Sequence, residues 1–439
     1  MSERYAKSLE YLARALKVTP GGAQTMSKRA NRFPEGAYPV ALNSGEGPYV
    51  WDIDGNKYLD MICSLACMTL GYRNDVNLAA VKQIAKGVSF SLANMLEAEV
   101  AEKICEMIHC AEMVRFVKTG SESTEAAIRV ARKATGHDIV LTIAEGYHSW
   151  HSWAQSVKPV HPGIPWEYQE MVRTFSYNDL PSLERAWKSG DGYVPGMDTK
   201  GGVAAVILEP CHYEQPAEGF LQGVRDFCTK HGAVLIFDCM VTGFRWANGG
   251  AQEYYGVTPD LATFGKACAN GFPLSFVCGK RELMEHADVV SGTFGGETVS
   301  LAACNAVLDI YKTEPIIETL WKRGEAFQVG FNDLARVLDM DAYVVCDGFP
   351  VKPRLRFTTG NDQNNILAMS LFLQETALHG ILWHPAGGNV SAAMTAEDIE
   401  FALEGMGSAL VVAKYAIDHG DWSILKGQTI QSSPMVRKQ

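Results

Sequence analysis

The sequence predicts an α/β protein with a mainly parallel central sheet sandwiched by helices. From about residue 100, short apolar runs follow one another, each ending in a polar or glycine-rich loop. A helix-like stretch separates each run from the next, the pattern of strands buried on both faces and joined by crossover helices. A chain of 439 residues, 47% hydrophobic, can also bury a substantial core and exceeds one ordinary domain.

The elements follow in chain order. "YVWDIDGNKYLDM" places short β-like runs on either side of Asp54-Gly55, a hairpin-turn dipeptide. It closes an N-terminal segment, residues 1–65. A large domain over 66–325 carries the runs "MVRFVKTG", "DIVLTIAEG", "GVAAVILEP", "GAVLIFD" and "LATFGK". In such sheets ligands gather at the carboxyl ends of the strands. Those ends hold Thr119 to Glu122, Tyr147 with His148, Glu209, Asp238 and Lys266. Beyond residue 325, "TAEDIEFALEGMGSALVVAKYAI" is a helix starting near Thr395 with Asp398 at capping-box spacing. Residues 326–439 therefore read as part of a smaller C-terminal domain, the last dozen of them frayed.

Composition narrows the partners. Fifty acidic against 39 basic side chains give a net charge of −11, which argues against nucleic acid or an anionic membrane and for small molecules. Eleven cysteines without a CxxC pair, several in apolar contexts, suit reduced thiols in the cytoplasm. The N-terminus lacks the apolar run of a secretory signal. The uncharged segment from Thr376 to Ala396 is broken by Pro385, Gly387 and Gly388, so it does not read as a membrane helix.

Each strand end has a chemical and a plainer reading. The N–H groups of Gly120 and Ser121 at a helix start suit a phosphate, with the Ser121 hydroxyl adding a bond. Equally, Thr119 and Glu122 form an ordinary capping box there. Asp238, after a buried run, needs a partner. It fits a protonated ring nitrogen of a cofactor, or a helix cap, or an ion pair with Arg245. Lys266, among small apolar neighbours, is placed to act as a nucleophile and Schiff-base former, or it simply snorkels out. Tyr147 can stack on a ring and His148 can hydrogen-bond near it. The spacing of His148 and His151 has no accompanying ligand set, so no metal is expected. No GxGxxG occurs, which disfavours a nicotinamide dehydrogenase.

Phosphate cradle, stacking aromatic, ring-nitrogen acid and aldehyde-capturing lysine are together the handles of pyridoxal 5′-phosphate. With "TPGG", "GPYVWDIDGNKYLD", "TGSESTEAAIRVARKATG", "YHSWHSW", "DCMVTGFRW", "PDLATFGKACANGFPL", "SGTFGGET" and "VSAAMTAEDIE", the chain resembles class III, fold type I aminotransferases, and most of all the branch containing glutamate-1-semialdehyde aminomutase. The resemblance implies a large cofactor-binding domain and a smaller α/β domain built from the N- and C-terminal segments. It implies that Lys266 forms the internal aldimine, that Asp238 partners the pyridine nitrogen and that Gly120 and Ser121 hold the phosphate. Tyr147 would then lie over the cofactor and Met240 against its opposite face. Thr293 would reach the phosphate of a neighbouring subunit, which implies a homodimer with shared active sites.

Departures from the aminomutase pattern are informative. Its carboxylate-gripping arginine falls on Lys28, beside Arg29; a tryptophan falls on Leu65; a C-terminal acidic residue falls on Ala386. These three, with Glu209, are the substrate candidates. Lysine lacks the planar fork of a guanidinium, so glutamate-1-semialdehyde is not the expected substrate. Cys239 also replaces the glutamate usual after the catalytic aspartate. The resemblance implies an aminotransferase acting between an amine or amino-acid donor and an aldehyde, ketone or keto-sugar acceptor. An aminomutase or racemase is the alternative. The intact Lys266 and Asp238 count against a third reading, a non-catalytic sensor.

Overall fold

The computed structural model describes residues 3–157, 163–190, 202–211 and 213–431. Thirteen strands occur among them, numbered here in chain order. They are β1 Leu42–Glu46, β2 Tyr49–Asp52, β3 Lys57–Asp60, β4 Met113–Val117, β5 Ile139–Ile143, β6 Val172–Phe175, β7 Val203–Leu208, β8 Val234–Asp238, β9 Leu261–Phe264, β10 Ser275–Gly279, β11 Val344–Phe349, β12 Lys352–Phe357 and β13 Ile381–Leu382. The chain divides into two compact units, one of Met1–Asn74 with Glu318–Gln439 and one of Asp75–Ile317.

The unit Asp75–Ile317 holds a seven-stranded sheet in the order β4-β10-β9-β8-β7-β5-β6. β10 runs antiparallel to both its neighbours, and the pairs β9–β8, β8–β7, β7–β5 and β5–β6 are parallel. The central strands β5, β7, β8 and β9 are buried at every residue, as strands covered on both faces must be. The helix Gly120–Thr135 packs on the sheet through Ala126, Ala127, Val130 and Ala131, which meet Val140, Ala205, Ile207 and Ile236. Alanines there let helix and sheet approach closely. Thr119 caps this helix in a full box with Glu122, and Gly136 ends it in the left-handed conformation at φ 69°.

The other unit holds a four-stranded sheet, β1-β2-β3-β13, and the antiparallel pair β11–β12. Asp54-Gly55 turns β2 into β3, with Gly55 at φ 93°. Asp54 also accepts the N–H groups of Lys7 and Ser8 at 2.7 and 2.9 Å, so the turn caps the first helix, Ala6–Val18. The helix Ala396–His419 starts at Thr395 with the expected Asp398 box. Its core includes Tyr58, Phe327, Phe372, Trp383 and Met406.

Two differences from the sequence reading have physical causes. β6 and β10 were not distinguished in it: each is only four or five residues long, and β10 is buried on both faces, so neither shows a period. The start of the tail expected to be frayed is docked. Ile430 is buried and its N–H donates to the Ser370 hydroxyl at 3.0 Å, and Gln431 bonds Asn31. Residues 432–439 lie outside the described residues.

Candidate active site

The carboxyl ends of β4, β5, β7, β8 and β9 open on one end of the seven-stranded sheet, because these strands share a direction. Asp238 ends β8 and is 2% exposed. Its Oδ2 lies 2.7 Å from His148 Nδ1, and His148 is itself 3% exposed. Its Oδ1 accepts the Met240 N–H at 3.1 Å and the Thr263 hydroxyl at 3.3 Å. The His148 carbonyl accepts the Thr124 hydroxyl at 3.1 Å, and its ring stacks on Trp153 with centroids 6.0 Å apart. The carboxylate is thus aimed from three sides, while the His148 Nε2 is buried without a partner.

Glycine makes room for Met240. A Cβ on Gly120 or on Gly265 would lie 2.9 Å from the Met240 sulfur, closer than ordinary contact allows. Gly120 opens the helix behind β4, and Ser121 in its first turn is buried. The capping box and an anion site are compatible here. Thr119 takes the Glu122 N–H at 3.2 Å and leaves the first-turn N–H groups of Gly120 and Ser121 outside the helix ladder.

Lys266 follows β9 and begins a short 3-10 turn, Lys266–Ala269. Its φ is 47°, a conformation that costs a non-glycine residue about 1–2 kcal/mol. Tyr147 is 41% exposed, and its N–H donates to Glu209 Oε2 at 3.3 Å. Partial burial, then the charges of Glu209 and Asp238, raise the Tyr147 hydroxyl above its usual pKa. Cys239 is buried, with its N–H bonded to the Thr263 carbonyl at 2.9 Å. Burial pushes its thiol up, so it packs as a small neutral side chain.

Thr293 is exposed. It lines a shallow cleft of about 250 Å³ with Ser89, Phe90, Asn94 and Glu297. Glu297 is paired with Lys118 at 2.7 Å.

The remaining candidates lie in the other unit. Lys28 is exposed at the end of a short 3-10 turn, and its charge acts on buried Asp60. The Ala386 N–H donates to His384 Nδ1 at 3.0 Å, which leaves Nε2–H to donate to the Ser27 carbonyl at 3.1 Å. Burial lowers the His384 pKa to about 4. Leu65 lies in a turn between Asp60 and Asn389. This unit therefore gathers the segments carrying Lys28, Leu65 and Ala386.

Sequence reasoning missed Thr263, Thr124 and Trp153 as supports. The one signal was a threonine inside an otherwise apolar β9, where a hydroxyl needs a buried acceptor.

These residues fit pyridoxal 5′-phosphate. A buried, well-oriented carboxylate suits a ring N–H, the glycine-cleared Met240 suits a flat ring, and the helix start behind β4 suits a phosphate. Comparison with known proteins agrees. The family model for class III aminotransferases matches residues 33–348. The chain is 32% identical over 424 residues to 3-aminobutyryl-CoA aminotransferase of Cloacimonas acidaminovorans, covering 94% of this chain and 98% of that protein. It is 32% identical over 428 residues to glutamate-1-semialdehyde 2,1-aminomutase of Syntrophobacter fumaroxidans, covering 91% and 96%. The structure of FumI from Sphingopyxis sp. MTA144, in its PLP internal aldimine form, superposes with a TM-score of 0.86 at 26% identity over 96% of this chain and 98% of that one. The chain belongs to the class III aminotransferases, fold type I proteins of a family that uses pyridoxal 5′-phosphate.

Proposed function

We propose that this protein is a pyridoxal phosphate-dependent aminotransferase that moves an amino group from a small amine or amino-acid donor to an aldehyde, ketone or keto-sugar acceptor. The observation that carries this reading is the Asp238–His148 pair, buried at the same strand ends as Lys266. When bound, the cofactor supplies an aldehyde for the amine and a protonated ring that accepts the electrons of a broken C–H bond. Asp238 would hold the proton on the ring nitrogen, and His148 fixes the carboxylate's orientation. Lys266 Nζ would hold the cofactor's aldehyde, and its amine is the group that could take a proton from the donor's amine-bearing carbon and deliver it to the cofactor's carbon. Gly120 and Ser121 would hold the phosphate through backbone N–H groups, and Tyr147 and Met240 would pack against the ring.

Lys28, Leu65, Ala386 and Glu209 are assigned to the substrate. Lys28 offers a point charge in place of a bidentate fork, which favours a transaminase over glutamate-1-semialdehyde isomerisation. An aminomutase is the second reading, favoured by the names of relatives such as the Syntrophobacter protein. A homodimer sharing its sites through Thr293 fits the exposed Phe90, Leu92, Met95 and Phe294 around the Thr293 cleft. A cytoplasmic location fits the eleven free thiols.

The test is spectroscopic. The visible absorbance of the holoenzyme should bleach with a donor amine and return with a carbonyl acceptor, and Lys266→Ala should lose both. Full turnover in Lys266→Ala would refute the assignment. Conversion of one substrate without any acceptor would establish the aminomutase instead.

A further inference from the structure

Lys118 immediately precedes Thr119, the cap of the helix Gly120–Thr135. Its Nζ lies 2.7 Å from Glu297 Oε1, and the two side chains are only 16% and 11% exposed. Both residues lie with that helix in the unit Asp75–Ile317. Glu297 itself stands at the start of a second helix, Thr298–Thr313, where its Oε2 accepts the Val299 N–H at 2.8 Å and its Oε1 the Ser300 N–H at 3.0 Å. One carboxylate thus caps one helix and holds the residue that leads into the other. Partial burial pushes the Glu297 carboxyl up, but the bonds from Lys118, Ser300 and Val299 together outweigh it and hold its pKa below the usual value. The main chain beside Lys118 is fixed as well, because the N–H groups of Lys118 and Thr119 both donate to Glu122 Oε2, at 2.7 and 2.9 Å.

The segment that carries Glu297 is fastened to β4. Arg115 Nε donates to the Val290 carbonyl at 2.9 Å. Gly295 lies so close to the strand that a Cβ on it would be 2.9 Å from the Phe116 carbonyl oxygen. β4 and the segment 290–297 therefore meet at Arg115, Phe116 and Lys118, and the third contact is the one beside the helix start. A partly buried ion pair contributes little net stability, because desolvation offsets the attraction. What a charge-assisted bond does supply is a fixed geometry.

We propose that Lys118 and Glu297 are positioning residues for the cofactor's phosphate: their ion pair fixes the start of the helix Gly120–Thr135, so that the Gly120 and Ser121 N–H groups point at the phosphate. The proposal rests on the reading of those two residues as the phosphate site. Backbone N–H groups serve an anion only by pointing at it. A small displacement of the helix start therefore costs affinity for the phosphate and not for the ring.

The test compares pyridoxal 5′-phosphate with pyridoxal, which keeps the ring and the aldehyde and lacks the phosphate. Each is titrated into the cofactor-free protein and followed by absorbance. Glu297→Gln and Lys118→Met should each raise the Kd for pyridoxal 5′-phosphate about tenfold while leaving that for pyridoxal within about twofold. The double variant should bind within about twofold of either single one, because all three remove the same interaction. Glu297→Asp, which keeps the charge and the helix cap but sits one carbon short of Lys118, should shift the Kd in the same direction by less, and it decides the matter if Glu297→Gln does not fold. A lysine that acted on the phosphate directly would be released by Glu297→Gln, and affinity for pyridoxal 5′-phosphate would rise. Such a rise, an unchanged Kd, or an equal loss for both ligands overturns the proposal. Gly120→Pro separates the two levels, since it removes one N–H at the first helical position and Thr119 is already extended. If it weakens both ligands alike, the reading of Gly120 and Ser121 as the phosphate site fails; if it acts more strongly on pyridoxal 5′-phosphate while the Lys118 and Glu297 variants do not, only the role of the pair fails.

Discussion

His148→Ala removes the partner of one oxygen of Asp238 and leaves the other oxygen as it is. The Nδ1–Oδ2 distance of 2.7 Å is that of a charge-assisted bond, and both side chains are almost wholly buried. Met240 N–H and the Thr263 hydroxyl continue to hold Oδ1. A hydrogen bond to a charged group contributes about 1.5–3 kcal/mol. Losing the ring stacked on Trp153 adds a small cavity. The expected loss is about 2–4 kcal/mol, at or below the ~3–5 kcal/mol of a wholly abandoned buried charge, because Oδ1 keeps its donors. For a unit of this size that is a fall in Tm of roughly 5–12 °C. The cofactor-free protein is the right sample for calorimetry, since bound cofactor would mask the change by mass action. A cofactor titration followed by absorbance should also show affinity weakened by about ten- to a hundredfold, as the carboxylate loses its orientation. His148→Asn, which can place an amide N–H near the position of Nδ1–H, should recover part of both. If His148→Ala melts within about 2 °C of the native protein and binds the cofactor within about twofold, His148 does not position Asp238 and the site built on that pair is wrong.

Gly120→Ala should weaken cofactor binding by about tenfold with little effect on Tm, because the new methyl displaces the end of the Met240 side chain rather than backbone; equilibrium titration checks it. Gly324→Ala should behave oppositely to the usual preference for alanine in a helix: its Cβ would lie 1.9 Å from the Pro350 carbonyl oxygen, which cannot step aside. A loss of more than about 2 kcal/mol by urea unfolding is expected, and a gain would show that the 350 loop yields. His384 is held neutral, with its folded pKa near 4 lying below an unfolded value of about 6.5. The unfolded chain therefore binds the proton first, so stability is full above pH 6.5 and falls as pH drops toward 4, by roughly 2 kcal/mol at pH 5. His384→Gln should flatten that dependence in urea titrations at the two pH values.

What the sequence discloses is what depends on neighbours along the chain. Asp238 and Lys266 are legible because each ends an apolar run, and the end of a buried parallel strand is a local fact. Their supports are not legible, because they depend on strand order. His148 follows β5 and Asp238 ends β8, ninety residues on, and only a strand order that leaves the single strand β7 between them lets the two loops reach bonding distance. The Cys63–Ala66 turn is hidden more deeply: "CSLA" has no glycine to announce positive φ, and the cause lies partly in Asn389, 327 residues from Ile62.

Lys266 joins both kinds of fact. Its small neighbours explain how a ring could fit beside it, but its own φ of 47° is one that glycine would adopt at no cost. A lysine there is disfavoured by about 1–2 kcal/mol of backbone energy, and it gains no ion pair among the described residues in return. Folding alone would favour glycine at position 266. On the proposed reading the amine is kept for a bound carbonyl, and Lys266→Gly should then be at least as stable as the native cofactor-free protein while losing all turnover. A lower Tm in Lys266→Gly would mean that the side chain stabilises the fold, and the inference from backbone strain to chemistry would not hold at this position.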